Sequence, residues 1–546
     1  MPLPQRSAIS SVSQTEVFIT WLVAIFALKW PALSEPPVGD AAFGLFPAAG
    51  ALADSGFNVW SLLHQPTYFE GGPNCHADSI VTWGTAALLW MMGKGANAFV
   101  VLHLLHFGMA AWTLTILHRL ASSSLGRSTS LMMCVALLLC PLFRVQVGAM
   151  YFEIPLAACT VAATEAYAER KLGRAVAWST LAVMVKQAGL VVAGALAVAA
   201  LIRRDSMTQR LGLAIRFAGL GLVATFWPLL TTPLLASMSD PTPSNSWWDF
   251  LGKFHIPYLL AIPDIVAGCG IVALLGLWQI RDVWHSLASV SDQVANSISG
   301  APADGSLPDG SKKCLSGHSD RLPTSAWGVS YLIGLMFALF FFVTPYPAQL
   351  AFYCLPRYFV SILPCVFFAG AQALATLTSP RLTTFLWAVV ALFFIGNRDG
   401  IWYPSDVGNN IAVQERSENY RGVVAVQRES VQVVSNLPDD AIIFYGLPEH
   451  YFLQHSWLGY SSRRHPGGRC VALAAERHLS LNQNELPEHY YVLLDAPSLG
   501  DRELQSILRQ ARNDPSRQVQ LFRQCQRGPF RAEIYEVTTS LKPPVP

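Results

Sequence analysis

The sequence predicts an all-α polytopic membrane protein with a small C-terminal α/β domain. Three observations lead there. Of 546 residues, 52% are hydrophobic and only 13% charged, where a soluble domain carries about 25% charge. The apolar residues fall in runs long enough to cross a bilayer, which takes roughly 17–25 residues. The charges gather in the last third, from about Arg398 onward, as in a water-exposed region that follows a lipid-embedded one. The predicted division is a membrane domain over 1–399 and an extracytoplasmic domain over 400–546. A net charge of +2 gives no footprint for nucleic acid.

The first apolar run, 16–33, reads as a retained span and not a cleaved signal peptide. No small-residue cleavage site follows Val17–Trp30; Pro31 and Glu35-Pro36-Pro37 follow instead. Further candidates are 98–117, 128–144, 152–168, 174–185, 188–202, 211–233, 257–280, 327–345, 359–378 and 382–397, about eleven in all. The pair around Lys186 reads as two short helices or one long one. Ile80–Met92 is short and carries Trp83 and Trp90, which suits an interfacial helix. With that segment left out, Arg119 and Arg127, then Arg170, Lys171 and Arg174, then Arg203, Arg204 and Arg210, then Arg281 to Arg321, then Arg381 fall on the side of the N-terminus. The positive-inside rule makes that side cytoplasmic and the C-terminal domain external.

Two long connections stand out. The first outer loop, 34–97, is mostly uncharged and includes surface helices. The cytoplasmic loop 285–322 is rich in Ser, Gly, Asp and Pro and reads as a flexible linker. In the C-terminal region Ala441–Tyr445, Tyr490–Leu494, Val519–Phe522 and Arg531–Val537 read as strands and Asp501–Ala511 as an amphipathic helix. The ten cysteines show no zinc-type spacing. Cys470 and Cys525 share the external region, and the sequence leaves their pairing open.

Charged residues at span ends carry the candidate chemistry. Asp40 follows Pro36-Pro37-Val38-Gly39, which stop the first helix and turn the chain. It reads either as a helix cap or as a general base partly shielded from water. Glu70, in Tyr68-Phe69-Glu70-Gly71-Gly72, and Asp78 follow in the same loop, with His64 and His76. Glu153 opens the fourth span. An acid there is a first-turn complement to the helix dipole or a functional group, because charge at a bilayer boundary is costly unless paired, wet or useful. Arg144 is its expected partner. Lys186, between two short apolar runs, needs an anion or a cavity. Arg357-Tyr358 begins a late span, where an outward arginine suits a phosphate through its planar fork. His103 and His106 share a face of the second span and read as polar packing between helices or as a metal pair, the first being the commoner arrangement.

Four of these stretches together resemble the integral-membrane glycosyltransferases of the C-type fold (GT-C), among them the protein O-mannosyltransferases and the lipid A aminoarabinose transferases. They are Gly39-Asp40 after the first span, Tyr68-Phe69-Glu70 before an apolar surface helix, Glu153 after Pro141-Leu142-Phe143-Arg144, and Arg357-Tyr358 with Pro364 downstream. The chain departs from the pattern at Asp40-Ala41, where many relatives have Asp-Glu, and at Gly71-Gly72-Pro73, where the aminoarabinose transferases have Lys-Pro-Pro. It also has a lone Glu153 where oligosaccharyltransferases use a paired acid motif.

The resemblance implies an inverting transfer of a sugar from a polyprenyl-phosphate donor to a glycan, lipid or protein acceptor, on the outer side of a bacterial inner membrane. Asp40 would serve as base. Arg357, Tyr358, Lys186 and Arg144 would hold the donor, and Glu153 and Glu70 would orient sugar or acceptor. No cofactor is certain; a divalent metal is left open because the superfamily is divided on it. A polytopic transporter or lipid flippase is the alternative, which the position of Asp40, Glu153 and Arg357 would decide.

Overall fold

The computed structural model describes residues 13–39, 41–58, 79–202, 206–225, 323–343, 357–396, 420–471, 486–495, 501–528 and 530–539. Asp40, Glu70, Asp78, His64 and His76 lie outside them. So do the predicted span 257–280, the linker 285–322 and the boundary at 399–400.

The described chain is mostly helical, with one small sheet. Helix α1 (Gln14–Lys29) starts at a reciprocal cap: Ser13 Oγ accepts from the Glu16 amide at 3.1 Å, and Glu16 accepts from the Ser13 amide at 2.7 Å. Two amides that a helix start leaves without partners are satisfied this way. A tight turn of 3-10 helix, Trp30–Ser34, extends α1 toward the outer loop. After it come a short π-helical turn, Ala41–Leu45, and α2 (Phe46–Asp54), both buried. Helix α3 (Ile80–Met92) is capped by Ser79, whose hydroxyl accepts from the Val81 amide.

Helix α4 (Ala96–Leu125) is the central element. It packs against α1, α5 (Arg127–Leu139), α7 (Glu153–Ala168) and α12 (Leu363–Leu377). Helix α6 (Pro141–Ala149) follows α5 at a bend of 63°. Pro141 explains that bend, because it lacks an amide for the helix ladder. Helices α8 (Leu172–Val185), α9 (Leu190–Ile202), α10 (Met207–Thr225), α11 (Pro323–Val343) and α13 (Pro380–Gly396) complete the described bundle. The region around Lys186 is two helices: Lys186 is extended at φ −160°, and the chain restarts after Gly189. A side chain at Gly189 would lie 2.2 Å from the Ala182 carbonyl carbon, so only glycine permits this tight approach.

Among the described residues two helical stretches, Gln14–Ser34 and Ala96–Leu125, are long and apolar enough to cross a membrane, and a third if the bent α5–α6 pair is one span. Six shorter apolar helices accompany them. The eleven expected spans are therefore met in part by helices of about span composition but shorter length. Apolar side chains such as Ile19, Val23 and Phe26 on α1 and Phe385 and Leu392 on α13 face outward, as suits lipid contact.

The C-terminal part begins with α14 (Tyr420–Ser435) and holds a five-stranded sheet of order β2-β1-β3-β5-β4, namely β1 (Ile443–Tyr445), β2 (Gly468–Cys470), β3 (His489–Asp495), β4 (Arg517–Arg527) and β5 (Phe530–Thr539). Strand β1 pairs in parallel with β2 and β3, while β5 pairs antiparallel with β3 and β4. Helix α15 (Leu447–Gln454) leaves β1, and α16 (Asp501–Asn513) covers the sheet with Leu504, Ile507 and Leu508. The strands expected from alternation coincide with β1, β3, β4 and β5. Strand β2, Gly468-Arg469-Cys470, has no β-branched or aromatic residue to mark it. Cys470 and Cys525 lie on opposite edge strands. Four inter-strand steps of about 4.8 Å separate those edges, beyond any disulfide.

Candidate functional site

Three charged side chains from distant segments meet at one end of the bundle. Glu153 is the first residue of α7 and fully buried. The chain reaches it through Met150, whose left-handed φ of 52° reverses direction between α6 and α7. That conformation costs a non-glycine residue roughly 1–2 kcal/mol, so the turn is held by its neighbours. His106 on α4 is one of them: its Nε2 lies 3.0 Å from the Tyr151 carbonyl and its Nδ1 3.0 Å from the Leu102 carbonyl. With both ring nitrogens at backbone carbonyls, His106 is a packing residue. His103 Nε2 approaches the Glu35 carbonyl at 3.4 Å. The metal-pair alternative for these histidines therefore gives way to polar packing.

Lys186, at the break between α8 and α9, donates from Nζ to Glu153 Oε1 at 2.8 Å. Ser79 fixes that break: its hydroxyl donates to the Val185 carbonyl at 2.7 Å. Arg357 lies just before the tight turn Phe359–Ser361 that leads into α12. Its Nε is 3.5 Å from the same Glu153 oxygen. Nη2 of Arg357 reaches the Tyr358 hydroxyl at 3.4 Å. The Lys186 ammonium sits 3.9 Å from the centre of the Tyr358 ring, and the Arg357 guanidinium 5.0 Å from both Tyr151 and Tyr358. Cations over ring faces are attracted by the quadrupole, more strongly when water is excluded.

The side chains of Glu153 and Arg357 are 1% and 2% exposed, and that of Lys186 18%. Burying three charges is costly unless they are paired. Both cations use one carboxylate oxygen; the other, Oε2, is buried without a hydrogen-bond partner among the described residues. Glu153 thus touches the two cations. Arg144 is buried on α6, and the ion pairs of Glu153 among the described residues go to Lys186 and Arg357, not to it.

The C-terminal part docks beside this end through the segment that precedes Asp40. Tyr420 donates to Glu35 Oε2 at 2.5 Å, Arg421 pairs with Glu35 Oε1 at 2.7 Å, and Tyr460 donates to the Pro37 carbonyl at 2.9 Å. Helix α15 packs on the turn Ala41–Leu45, and Gly39 before it has φ 54°. Both flanks of position 40 are therefore fixed. The sequence reading treated Glu35 only as part of a helix stop and missed Tyr420, Arg421 and Tyr460. The one available signal was an acid within a turn of a span end.

No group of three or more metal-ligating side chains occurs among the described residues. One carboxylate beside two cations is a poor donor set for a divalent ion, which needs several oxygens. The described cluster does not fit a metal.

No protein-family model and no curated protein matches the chain. Similar solved structures exist. The lipid A aminoarabinose transferase ArnT from Cupriavidus metallidurans, bound to undecaprenyl phosphate, aligns over 96% of this chain and 98% of its own at 13% identity and a TM-score of 0.43. Its apo state aligns over the same shares at 14% identity and 0.42. The Archaeoglobus fulgidus oligosaccharyltransferase in complex with zinc and sulfate aligns over 88% of this chain and 68% of its own at 11% identity and 0.42. All three are structures of GT-C glycosyltransferases, the class of the resemblance drawn from the sequence. At TM-scores below 0.5 the likeness decides nothing about function, which rests on the side chains.

Proposed function

We propose that the protein is a membrane glycosyltransferase that takes a sugar from a polyprenyl-phosphate donor at the end of the bundle where Glu153 lies. The observation that carries this reading is the buried trio: two cations positioned on one oxygen of Glu153, at the mouth of apolar helices. Such a group recognises a phosphate that arrives on a lipid tail. A soluble phosphate ester would not require a site seated among apolar helices.

In this reading Arg357 and Lys186 bind the carrier phosphate and oppose the negative charge that grows on it as the sugar departs. Glu153 keeps the cations in place, which makes it a positioning residue. Tyr358 supports both cations with its ring. Asp40 accepts the proton of the acceptor hydroxyl or amine as that group attacks the anomeric carbon. The phosphate leaves with its bonding pair and needs little acid help, so one carboxylate suffices, in contrast to the pair used in glycoside hydrolysis. Glu70 orients sugar or acceptor. Docking by Tyr420, Arg421 and Tyr460 holds the Asp40 segment over the bundle.

The test uses purified protein, a labelled undecaprenyl-phosphate sugar and a cell-envelope extract as the acceptor source. Transfer by the wild type, lost in Asp40→Asn while donor binding persists, supports the reading. Undiminished transfer in Asp40→Asn removes the base assignment, and no transfer by the wild type with any lipid-linked sugar removes the activity.

A further inference from the structure

A cavity opens at the end of the bundle away from Glu153. It measures about 630 Å³ and is bounded by α1, α4, α7 and α8. Glu165, on its wall, lies twelve residues along α7 from Glu153, which at 1.5 Å per residue is about 18 Å away. The cavity is therefore separate from the trio. Its two levels differ in chemistry. At the rim stand Arg119, Glu165, Glu169 and Arg174; one to two helical turns deeper, Trp112 and Trp178 form a floor with ring centres 5.1 Å apart.

The four charges at the rim sum to zero, and neighbouring Lys171 leaves one cation in excess. Arg119 holds buried Glu165 through two donors, and Glu169 pairs with Lys171 at 2.7 Å. Arg174 remains, in the first turn of α8, with no acid within ion-pair distance among the described residues. A helix start adds partial positive charge from its unpaired amides. The opening thus offers an anion site above an aromatic floor, in a chain whose helices are apolar enough for a bilayer. Tryptophans near a membrane boundary mark the headgroup level, and basic pockets between spans on the arginine-rich side take anionic headgroups.

We propose that this cavity binds an anionic phospholipid of the leaflet opposite the Glu153 site, with its phosphate on Arg174 and its glycerol and upper acyl chains over Trp112 and Trp178. The site is independent of the transferase reading and requires only that the chain sits in a membrane.

The experiment is native mass spectrometry of the full-length, delipidated protein titrated with phosphatidylglycerol and, separately, with phosphatidylcholine. The wild type should bind phosphatidylglycerol about five- to tenfold more tightly, the scale of one basic side chain at a headgroup. Arg174→Ala should remove that preference, weakening phosphatidylglycerol more than phosphatidylcholine, whose choline already offsets its phosphate charge. Trp178→Ala should weaken both lipids. Glycerol 1-phosphate in excess should not displace the lipid. Equal affinity for the two lipids, an intact preference in Arg174→Ala, or displacement by glycerol 1-phosphate alone would each overturn the proposal.

Discussion

Replacing Glu153 with Gln removes the one anion that Lys186 and Arg357 share and changes almost no volume. Arg357 and Glu153 are nearly fully buried, and Lys186 is mostly so. Deleting one partner of a buried pair costs about 3–5 kcal/mol, because the remaining charge keeps its desolvation penalty. The partial exposure of Lys186 favours the lower end, so Glu153→Gln should destabilise the protein by about 3 kcal/mol. The loss should be recoverable by an anion. Undecaprenyl phosphate at a hundred times its dissociation constant supplies about 2.7 kcal/mol, nearly the whole deficit, whereas uncharged undecaprenol should supply little. The assay is thermal unfolding of the detergent-purified variant with each lipid. An unchanged melting temperature in Glu153→Gln, or equal rescue by the alcohol, would refute the claim that the trio is an anion site organised by one carboxylate.

Other outcomes follow from the same geometry. Arg357→Ala should weaken binding of a labelled lipid-phosphate sugar at least tenfold, and Arg357→Lys should recover only part of it, because lysine keeps the charge but not the fork; unchanged donor affinity in both would remove the phosphate role. Tyr460→Phe removes one hydrogen bond to the Pro37 carbonyl and should cost about 1 kcal/mol, visible as faster amide exchange over residues 35–46. His450 and His455 on and after α15 are pushed down to about 4 from 6.5, chiefly by burial. The unfolded chain then binds protons between pH 6.5 and 4 that the folded chain refuses, so stability is full above pH 6.5 and falls through that window. His450 alone contributes up to about 3 kcal/mol, to be read as a falling melting temperature between pH 7 and 4.5. Non-reducing alkylation should label both Cys470 and Cys525 after unfolding; a disulfide-linked peptide would contradict the strand order.

The bundle was legible because bilayer-length apolar runs leave few alternatives and because Pro36-Pro37 ends the first of them, whereas the expected run 128–144 passes through Pro141, where the helix bends. Lengths were less legible: the region around Lys186 divides only because Gly189 can approach a backbone carbonyl, which hydropathy does not report. Glu153, Lys186 and Arg357 stood out singly as charges where charge is expensive. Their meeting did not, since 33 residues separate the first two and only tertiary packing brings Arg357 to them. Arg144, nine positions before Glu153, is not among its ion-pair partners in the described residues, and the left-handed Met150 between them has no marker such as glycine. The Glu35–Tyr420 contact spans 385 positions and had no sequence signature beyond an acid at a helix end. Asp40 and Glu70 keep the roles that the resemblance implies as proposals.

The claim that a lipid-borne phosphate binds at the Glu153 trio is tested most directly by photo-crosslinking. A polyprenyl phosphate with a diazirine next to its headgroup would be activated on the purified protein and the labelled peptides sequenced. Labels in the peptides that carry Tyr151–Glu153, Lys186 and Arg357-Tyr358, suppressed by excess undecaprenyl phosphate, are the predicted result. Labels confined to the opposite end of the bundle, or not suppressed by the unlabelled lipid, would contradict it.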